Sequence, residues 1–227
     1  MRTRAFWSHT FFPGLIKQEG VVIDLGVNYG GFSGAVANLC NQIIGFEANP
    51  YWTERNRIPL PTWVTVIPKA VALKAGTYTF YLDKGGGPGS SLHKGAKDGR
   101  ATAVVQAITL QDAIDLVPSE RIELIKIDIE GEELAILANA PPELLQRAVQ
   151  ITVEFEDFHG ERAIQATIAR MKALNFWTIK FSWRNYGDVL FVNQTLAPLS
   201  LFQRASIIAV NKYGKGVQRV LRRLVLR

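Results

Sequence analysis

Several residue types are scarce in this 227-residue chain, and each scarcity excludes a class of protein. A single cysteine, Cys40, excludes a disulfide framework and leads us to expect a reducing, cytoplasmic compartment. No apolar run is long enough to span a bilayer, and no signal-peptide cleavage pattern is present. Three histidines and one cysteine do not form a recognisable transition-metal ligand pattern. The hydrophobic content of 48% is nevertheless ample for a folded core.

Acidic residues are absent from one end of the chain, and this explains the net charge of +6. No Asp or Glu follows Asp188, whereas seven Lys or Arg residues do, so the first 188 residues sum to −1. Val217, Val220, Leu221, Leu224 and Val225 recur at helical spacing among these basic residues. We expect one domain over 1–196, with a short leader over 1–19, and a basic amphipathic tail over 197–227. The tail either packs on its own domain, lies on an anionic membrane surface or contacts a partner.

Strand and helix patterns alternate along the body of the chain. Apolar runs rich in β-branched residues predict strands, and periodic segments between them predict helices. The predicted strands are Val21–Leu25, Ile43–Glu47, Val64–Val71, Leu124–Ile129, Val149–Phe155, Trp177–Phe181 and Val189–Val192, with a hairpin-like excursion at Thr77–Leu82 and Thr102–Ile108. The predicted helices are Phe32–Asn41, Thr109–Leu116, Glu132–Leu145 and Glu161–Leu174. The pattern indicates a doubly wound α/β fold with a mostly parallel sheet and an antiparallel last strand, because the final two strands are joined too closely for a parallel crossover.

The ends of the first two strands favour a nucleoside ligand without a phosphate. Asp24-Leu25-Gly26-Val27-Asn28-Tyr29-Gly30 ends the first strand, and Glu47 ends the second. An acidic residue about twenty positions after a glycine turn can accept hydrogen bonds from a ribose diol. An acid at the first turn would repel a pyrophosphate but suits an ammonium group, so S-adenosylmethionine fits better than a dinucleotide.

At this point the sequence resembles the FkbM-family S-adenosylmethionine-dependent methyltransferases. The resemblance is carried by Val22–Gly30, by Phe46-Glu47-Ala48-Asn49-Pro50, by Ala70-Val71-Ala72-Leu73, by Ser90-Ser91-Leu92, by Lys126-Ile127-Asp128-Ile129-Glu130-Gly131-Glu132-Glu133 and by Val153-Glu154-Phe155. It implies a class I, Rossmann-like methyltransferase fold and O-methylation of hydroxyl groups on sugars, polyketides or related small molecules. The cofactor-binding residues that we expect are Asp24, Gly26, Asn28, Gly30, Phe32, Ser33, Glu47, Ala70, Ser91 and Asp128.

A second set of acidic residues follows the later strands and suggests an acceptor site. Asp128 and Glu130 share one side of a strand, as do Glu154 and Glu156. One carboxylate could act as general base while another holds the acceptor hydroxyl, or a pair could coordinate a divalent cation such as Mg²⁺. We expect catalytic roles for Asp128, Glu130, Glu154 and His159, whereas His9 and His93 have no comparable sequence neighbourhood. The glycine-rich segment 85–89 is either a lid over the site or a surface turn.

Two other functional classes stay open at this stage. In one, the domain is non-catalytic and the basic tail anchors it to a membrane or a partner. In the other, the tail recruits RNA to a methyltransferase domain, but the acidic body and the lack of aromatic residues among the basic ones argue against a nucleic-acid partner. We expect a small-molecule, sugar or glycan acceptor, and the sequence predicts neither its identity nor an oligomeric state.

Overall fold

The strands of the protein are short and mostly buried. The coordinates are a computed structural model, which describes residues 1–54, 58–83, 87, 89–93, 101–117, 119–156, 160–182 and 187–210. Within these ranges the strands are β1 (Arg4–Phe6), β2 (His9–Phe11), β3 (Val21–Leu25), β4 (Gln42–Phe46), β5 (Val64–Ile67), β6 (Ala70–Val71), β7 (Gly76–Tyr81), β8 (Thr102–Ile108), β9 (Leu124–Ile127), β10 (Gln150–Phe155), β11 (Phe176–Lys180) and β12 (Gly187–Asn193). The helices are α1 (Gly31–Val36), α2 (Pro50–Glu54), α3 (Leu110–Asp115), α4 (Glu133–Asn139), α5 (Pro142–Gln146), α6 (Glu161–Ala173) and α7 (Leu201–Ala209).

Seven strands form the central sheet in the order β11, β12, β10, β9, β3, β4, β5. The pairs from β10 through β5 are parallel, whereas β12 is antiparallel to both of its neighbours. The strand order reverses between β3 and β9, and in such sheets ligands bind outside the carboxyl ends of the strands at this position. The predicted α/β fold, with a mostly parallel sheet and an antiparallel last strand, is therefore confirmed.

Apolar layers cover both faces of the sheet. Val21, Ile23 and Leu25 of β3 pack with α3, α4, α5 and α6, while Val22 points to the other face and packs with α1 and β2. This alternation places Asp24 on the same face as Val22, towards α1. β3 and β9 are buried along their whole length, which accounts for their continuous runs of apolar residues.

Proline divides two of the predicted elements. A third, the predicted helix Phe32–Asn41, was also too long, since α1 ends at Val36. The predicted strand Val64–Val71 is divided into β5 of the central sheet and β6 of a smaller sheet ordered β6, β8, β7. Pro68 lies between them and has no N–H to continue a ladder. The predicted helix Glu132–Leu145 is likewise divided into α4 and α5, because Pro141 and Pro142 have no N–H to continue α4, whereas proline is tolerated at the first position of α5.

The N-terminal leader is an ordered part of the domain. β1 and β2 form an antiparallel hairpin, and all three residues of β2 are buried. The backbone N–H of Thr10 donates to Asp188 Oδ1 over 3.1 Å, and the hydroxyl of Thr10 donates to Asp188 Oδ2. The side chain of Gln150 accepts from the N–H of Phe12 and donates to its carbonyl. These bonds fix the hairpin against β10 and β12.

The first part of the predicted tail also packs on the domain. Ala197, Leu199 and Ile207 are buried in a cluster with Leu190 and Val192 of β12. Ser200 and Gln203 form a capping box at the start of α7. The amphipathic segment predicted around Val217–Val225 lies outside the described residues. In the part of the chain that the structure describes, no helix is long and apolar enough to cross a membrane.

Candidate functional site

A cavity of about 460 Å³ opens at the carboxyl ends of β3, β4, β9 and β10. This volume lies in the range of about 300–1,000 Å³ that is typical of small-ligand pockets. Of the predicted site residues, the cavity wall contains Gly26, Asn28, Phe32, Glu47, Ala70, Asp128, Glu130 and Glu154. The wall does not include Asp24, Gly30, Ser33 or Ser91. His159 lies outside the described residues, as do most of the residues of the 85–89 loop.

The first end of the cavity is formed by the turn after β3 and by Glu47 after β4. Glu47 Oε2 accepts a 2.6 Å hydrogen bond from the backbone N–H of Asn28, and Oε1 accepts one of 2.7 Å from the N–H of Asn49. Burial raises the pKa of Glu47, and these two N–H groups partly offset that effect. Each oxygen retains a lone pair, so the carboxylate can accept further hydrogen bonds from ligand hydroxyl groups.

Gly26 is required by close approach of two chain segments. Its φ is +84°, and a Cβ built there would lie 1.8 Å from the carbonyl oxygen of Asp128. The turn after β3 therefore packs directly on the backbone after β9. This contact places the turn after β3 and the segment after β9 side by side in the cavity wall.

Asp24 lies behind the cavity wall and is completely buried. Its Oδ2 accepts a 2.6 Å hydrogen bond from the hydroxyl of Ser33, and Oδ1 lies 3.3 Å from Lys126 Nζ. Asp24 thus pairs with Lys126, and its predicted pairing with a ligand ammonium group stays a prediction. The sequence reasoning missed Lys126, although a lysine inside the buried run of β9 was itself a signal that a buried partner exists.

The second end of the cavity is acidic and centres on Asp128. Lys126 Nζ and His9 Nε2 both contact Asp128 Oδ2, at 3.3 Å and 3.1 Å. Burial alone would raise the pKa of Asp128, but Lys126 and His9 outweigh it and hold that pKa below its ordinary value. Burial likewise acts to lower the pKa of Lys126, and the carboxylates of Asp128 and Asp24 reverse this and raise it. Asp128 is therefore a carboxylate and Lys126 an ammonium group at neutral pH.

Glu130 has the opposite behaviour and is suited to exchanging a proton. Burial, together with repulsion by Asp128, Glu156, Glu133 and Glu154, raises the pKa of Glu130 to about 8. Its backbone has a φ of +56°, and its carbonyl accepts a hydrogen bond from the hydroxyl of Ser91. A carboxyl group with a pKa near the working pH can both accept and release a proton.

Three ligating side chains meet beside Asp128. One atom each from His9, Asp128 and Glu154 lies within 4.8 Å of the others. His9 Nε2 is 4.0 Å from Glu154 Oε2. The expectation that His9 has no functional neighbourhood is therefore wrong, because folding of the leader brings it next to residues more than a hundred positions away. Lys126 already supplies positive charge to the same Asp128 oxygen, so a divalent cation would have to compete with it.

The other residues of the site lie in the wall or directly behind it. Gly30 precedes α1 with a φ of +95°, and Ser33 binds Asp24 from the first turn of that helix. Ser90 Oγ accepts hydrogen bonds from the side chain of Asn49 and from the N–H of Asp83, and Ser90 lines the cavity. Asn28 has a φ of +54°, and its side-chain oxygen accepts from the N–H of Tyr29.

The sequence matches a protein family, and the fold is similar to several solved structures. The family model described as the methyltransferase FkbM domain matches residues 24–189. The chain is similar to methyltransferase FkbM from Methylobacillus flagellatus KT, with 14% identity and a TM-score of 0.46 over 78% of this chain and 44% of that one. It is also similar to SMU.1697c from Streptococcus mutans in complex with SAH, with 10% identity and a TM-score of 0.46 over 79% and 92% of the two chains. An rRNA methylase from Streptococcus thermophilus gives 10% identity and a TM-score of 0.45 over 79% and 88%.

The chain thus spans less than half of the Methylobacillus protein. No curated protein matches the sequence. The family match itself covers most of the chain, from Asp24 at the end of β3 to Val189 in β12, and it includes Glu47 and Asp128 at the two ends of the cavity. The chain belongs to the methyltransferase FkbM domain family.

Proposed function

We propose that the protein is an S-adenosylmethionine-dependent O-methyltransferase that acts on a hydroxyl group of a small molecule, sugar or glycan. The observation that best supports this proposal is one cavity with two chemically different ends. Glu47 and the turn after β3 form a nucleoside-type end, and Asp128, Glu130 and Glu154 form an acidic end. S-adenosylmethionine supplies an electrophilic methyl group when it is bound.

At the nucleoside end, the residues present fit the cofactor. Glu47 is buried, is aimed into the cavity and has free lone pairs for a ribose diol. Gly26 lets the chain approach a ligand without a side chain between them. Among the described residues that line the cavity, Lys69 and Lys126 are the only lysines or arginines, and Lys126 is paired with Asp24 and Asp128, which suits a ligand that has no phosphate. Glu47 and the turn after β3 bind and orient the donor.

At the acidic end, we assign Glu130 as the group whose carboxylate oxygen removes the proton of the acceptor hydroxyl. The acceptor oxygen loses its proton as it is methylated, and the ionised form of Glu130 takes that proton up. Asp128 stays ionised because Lys126 and His9 stabilise its charge, so it holds the acceptor hydroxyl as a hydrogen-bond acceptor. Glu154 provides a second acceptor for a neighbouring hydroxyl. Lys126 supplies the positive charge at Asp128 in this proposal, and no step needs a metal ion.

The charge of the acidic end favours a neutral acceptor over RNA. Carboxylates of Asp128 and Glu154 and the raised pKa of Glu130 indicate a negative potential in the part of the cavity where the acceptor would lie. Phosphate groups would be repelled there. The basic residues that could attract RNA follow Asp188 in the sequence, and those after Val210 lie outside the described residues.

Calorimetry with S-adenosylhomocysteine tests the nucleoside end. Glu47→Ala should weaken binding by about 10- to 100-fold, because hydrogen bonds to a charged group are lost. Glu143→Ala, on the exposed side of α5, is the matched control and should bind like the wild type. Asp128→Asn should retain cofactor binding, since Asp128 is assigned to the acceptor. Unchanged affinity in Glu47→Ala would remove the ribose assignment.

Transfer of a labelled methyl group tests the reaction itself. Wild-type protein would be incubated with methyl-labelled S-adenosylmethionine and separate pools of methyl glycosides, phenolic compounds and total RNA, each with and without a chelator. We expect label in a hydroxyl-bearing small molecule, loss of turnover in Asp128→Asn, and no effect of the chelator. Label found only in RNA would contradict the small-molecule assignment, and inhibition by the chelator would restore the metal alternative.

A specific surface supports a separate proposal, that the enzyme also contacts an anionic membrane surface. Leu201, Phe202, Ile208 and Val210 on and just after α7 are exposed, with exposures of 82% for Leu201 and 81% for Phe202. The following 17 residues contain six Lys or Arg and no acid. Apolar side chains next to basic sequence are typical of segments that lie on anionic lipid.

Sedimentation with vesicles tests this contact. The full chain should sediment with vesicles that contain phosphatidylglycerol and not with vesicles of phosphatidylcholine alone. The double variant Leu201→Ser, Phe202→Ser should lose the binding, whereas Val104→Ser, at another exposed apolar residue on β8, should keep it. Absence of wild-type binding to the anionic vesicles would refute the proposal.

A further inference from the structure

The N-terminal hairpin forms part of the cavity wall although it lies outside the family match. Phe6, Trp7, Ser8 and His9 line the cavity, whereas the match begins at Asp24. The hairpin therefore adds to the matched domain a part of the cavity wall that the family match does not cover. Its position at the acidic end, next to Asp128 and Glu154, is where an acceptor would lie.

The hairpin is held rigidly enough to position side chains. Phe6, Phe11 and His9 each pack edge-on against Phe32, with centroid distances of 6.2, 5.7 and 5.8 Å. The bonds of Thr10 to Asp188 and of Phe12 to Gln150 fix its second strand. Both strand ends are thus anchored, and the connecting residues Trp7 and Ser8 are placed over the cavity.

His9 is placed to orient the carboxylate of Asp128. It is 3% exposed, its Nε2 contacts Asp128 Oδ2, and its Nδ1 is buried with no hydrogen-bond partner among the described residues. Because Asp128 is ionised, we assign the ring proton to Nε2, whose N–H donates a hydrogen bond to Asp128. Nδ1 is sealed from the cavity, so it does not reach an acceptor hydroxyl.

Trp7 offers an aromatic face at the mouth of the cavity. It is 82% exposed and has a φ of +52°, a conformation that is uncommon for a bulky residue. This φ belongs to the two-residue turn between β1 and β2, in which hairpins commonly adopt a positive φ. An exposed indole ring at the mouth of a cavity is suited to contact the part of a bound ligand that extends out of the cavity.

We propose that the β1–β2 hairpin is an acceptor subsite for a neutral sugar ring. The apolar C–H face of the ring stacks on Trp7, and ring hydroxyls donate to Glu154 and to Asp128, whose carboxylate His9 holds in position. A sugar ring has this combination of an apolar face and hydroxyl edges, and a phosphorylated one would be repelled by the carboxylates. This inference rests on the proposed function and names its acceptor class.

Binding of methyl glycosides to the protein loaded with S-adenosylhomocysteine tests the subsite. Saturation-transfer NMR would be recorded with the methyl glycosides of glucose, galactose, mannose and rhamnose, and with glucose 6-phosphate. At least one glycoside should bind, glucose 6-phosphate should not, and Trp7→Ala should weaken binding by about 2- to 10-fold. Val104→Ala, at an exposed apolar residue on β8, is the control and should leave glycoside binding unchanged.

The outcomes separate this inference from the proposed function. If the wild-type protein does not bind S-adenosylhomocysteine, the methyltransferase assignment is contradicted. Normal cofactor binding with no glycoside binding, or with glycoside binding that Trp7→Ala leaves intact, would overturn the subsite alone.

Paired substitutions of His9 test its positioning role. His9→Phe keeps a ring against Phe32 but removes the donor to Asp128, so glycoside affinity should fall while cofactor affinity stays the same. His9→Gln restores a donor and should recover most of the affinity. In an Asp128→Asn background, His9→Phe should cause no further loss, because the two residues act through one bond. Equal loss in His9→Phe and His9→Gln would overturn the positioning role.

Discussion

The carboxyl group of Glu130 should make the fold less stable as the pH rises, and Glu130→Gln should remove that effect. Glutamine has the same shape and keeps the backbone, including the carbonyl that accepts from Ser91. It cannot ionise. The substitution therefore isolates the cost of placing a negative charge among Asp128, Glu133, Glu154 and Glu156.

The sign and size of the effect follow from the pKa of Glu130. This pKa is about 8 in the folded protein, compared with an ordinary value of 4.5 that applies to the unfolded chain. Between these values the folded protein binds the additional proton, so the free energy of unfolding falls as the pH rises. From about pH 5 to about pH 9, and allowing for partial exposure of the group, the loss is about 2 to 4 kcal/mol.

Urea unfolding of both proteins at several pH values measures this difference. Titrations of other groups occur in both proteins and largely cancel. Glu130→Gln should gain about 2 to 4 kcal/mol relative to wild type between about pH 5 and about pH 9. Glu143→Gln, on the exposed surface of α5, should run parallel to wild type. If Glu130→Gln also runs parallel, Glu130 does not have a raised pKa, and its assignment as the proton acceptor fails.

Three other predictions concern the residues behind the cavity. Lys126→Met should lower the free energy of unfolding by about 3 to 5 kcal/mol, because it leaves the buried carboxylate of Asp24 unpaired; adding Asp24→Asn should recover part of the loss in the same urea assay. Gly26→Ala should lower the urea midpoint much more than Gly14→Ala, because a Cβ at Gly26 would clash with the carbonyl of Asp128 while none of the described atoms lies within 4 Å of one at Gly14. Ser33→Ala should cost about 1 to 3 kcal/mol, since it removes one donor from the buried Asp24, and Ser33→Thr should restore part of this stability if the hydroxyl is what matters.

Much of the fold could be predicted from the sequence because the central strands are buried on both faces. β3 and β8 begin and end where the apolar and alternating patterns predict. Two errors fall at Pro68 and at Pro141 and Pro142, where a local rule overrides a pattern that continues across the proline. A third is the end of α1, which lies at Val36 and not at Asn41. Glu47, Gly26 and Asp128 could be predicted to line one cavity, because parallel strands end at the same edge of a sheet.

The contribution of the leader could not be predicted in the same way. The hydrophobic periodicity of a sequence indicates which face of a helix or strand is buried, but not which distant residues pack against that face. His9 approaches Asp128 only because β2 packs across β10 and β12, through Thr10, Phe12 and their partners Asp188 and Gln150. For Lys126, in contrast, a charged residue within a buried apolar strand was a usable signal, since such a charge requires a partner.

Lys126 couples the two ends of the site. Its ammonium group lies 3.3 Å from both Asp24 Oδ1 and Asp128 Oδ2, so one positive charge is shared by two carboxylates. The carboxylates of Asp128 and Glu154 repel a negative charge on Glu130, and this repulsion contributes to the raised pKa of Glu130. A positively charged ligand in the cavity would act in the opposite direction and favour the ionised form of Glu130. In the proposed reaction the donor is a cation, so the proton acceptor would become ionised when the donor is present. The neighbouring carboxylates disfavour the ionised form of Glu130 in the protein alone. With the cationic donor beside it, Glu130 would be ionised and able to accept a proton.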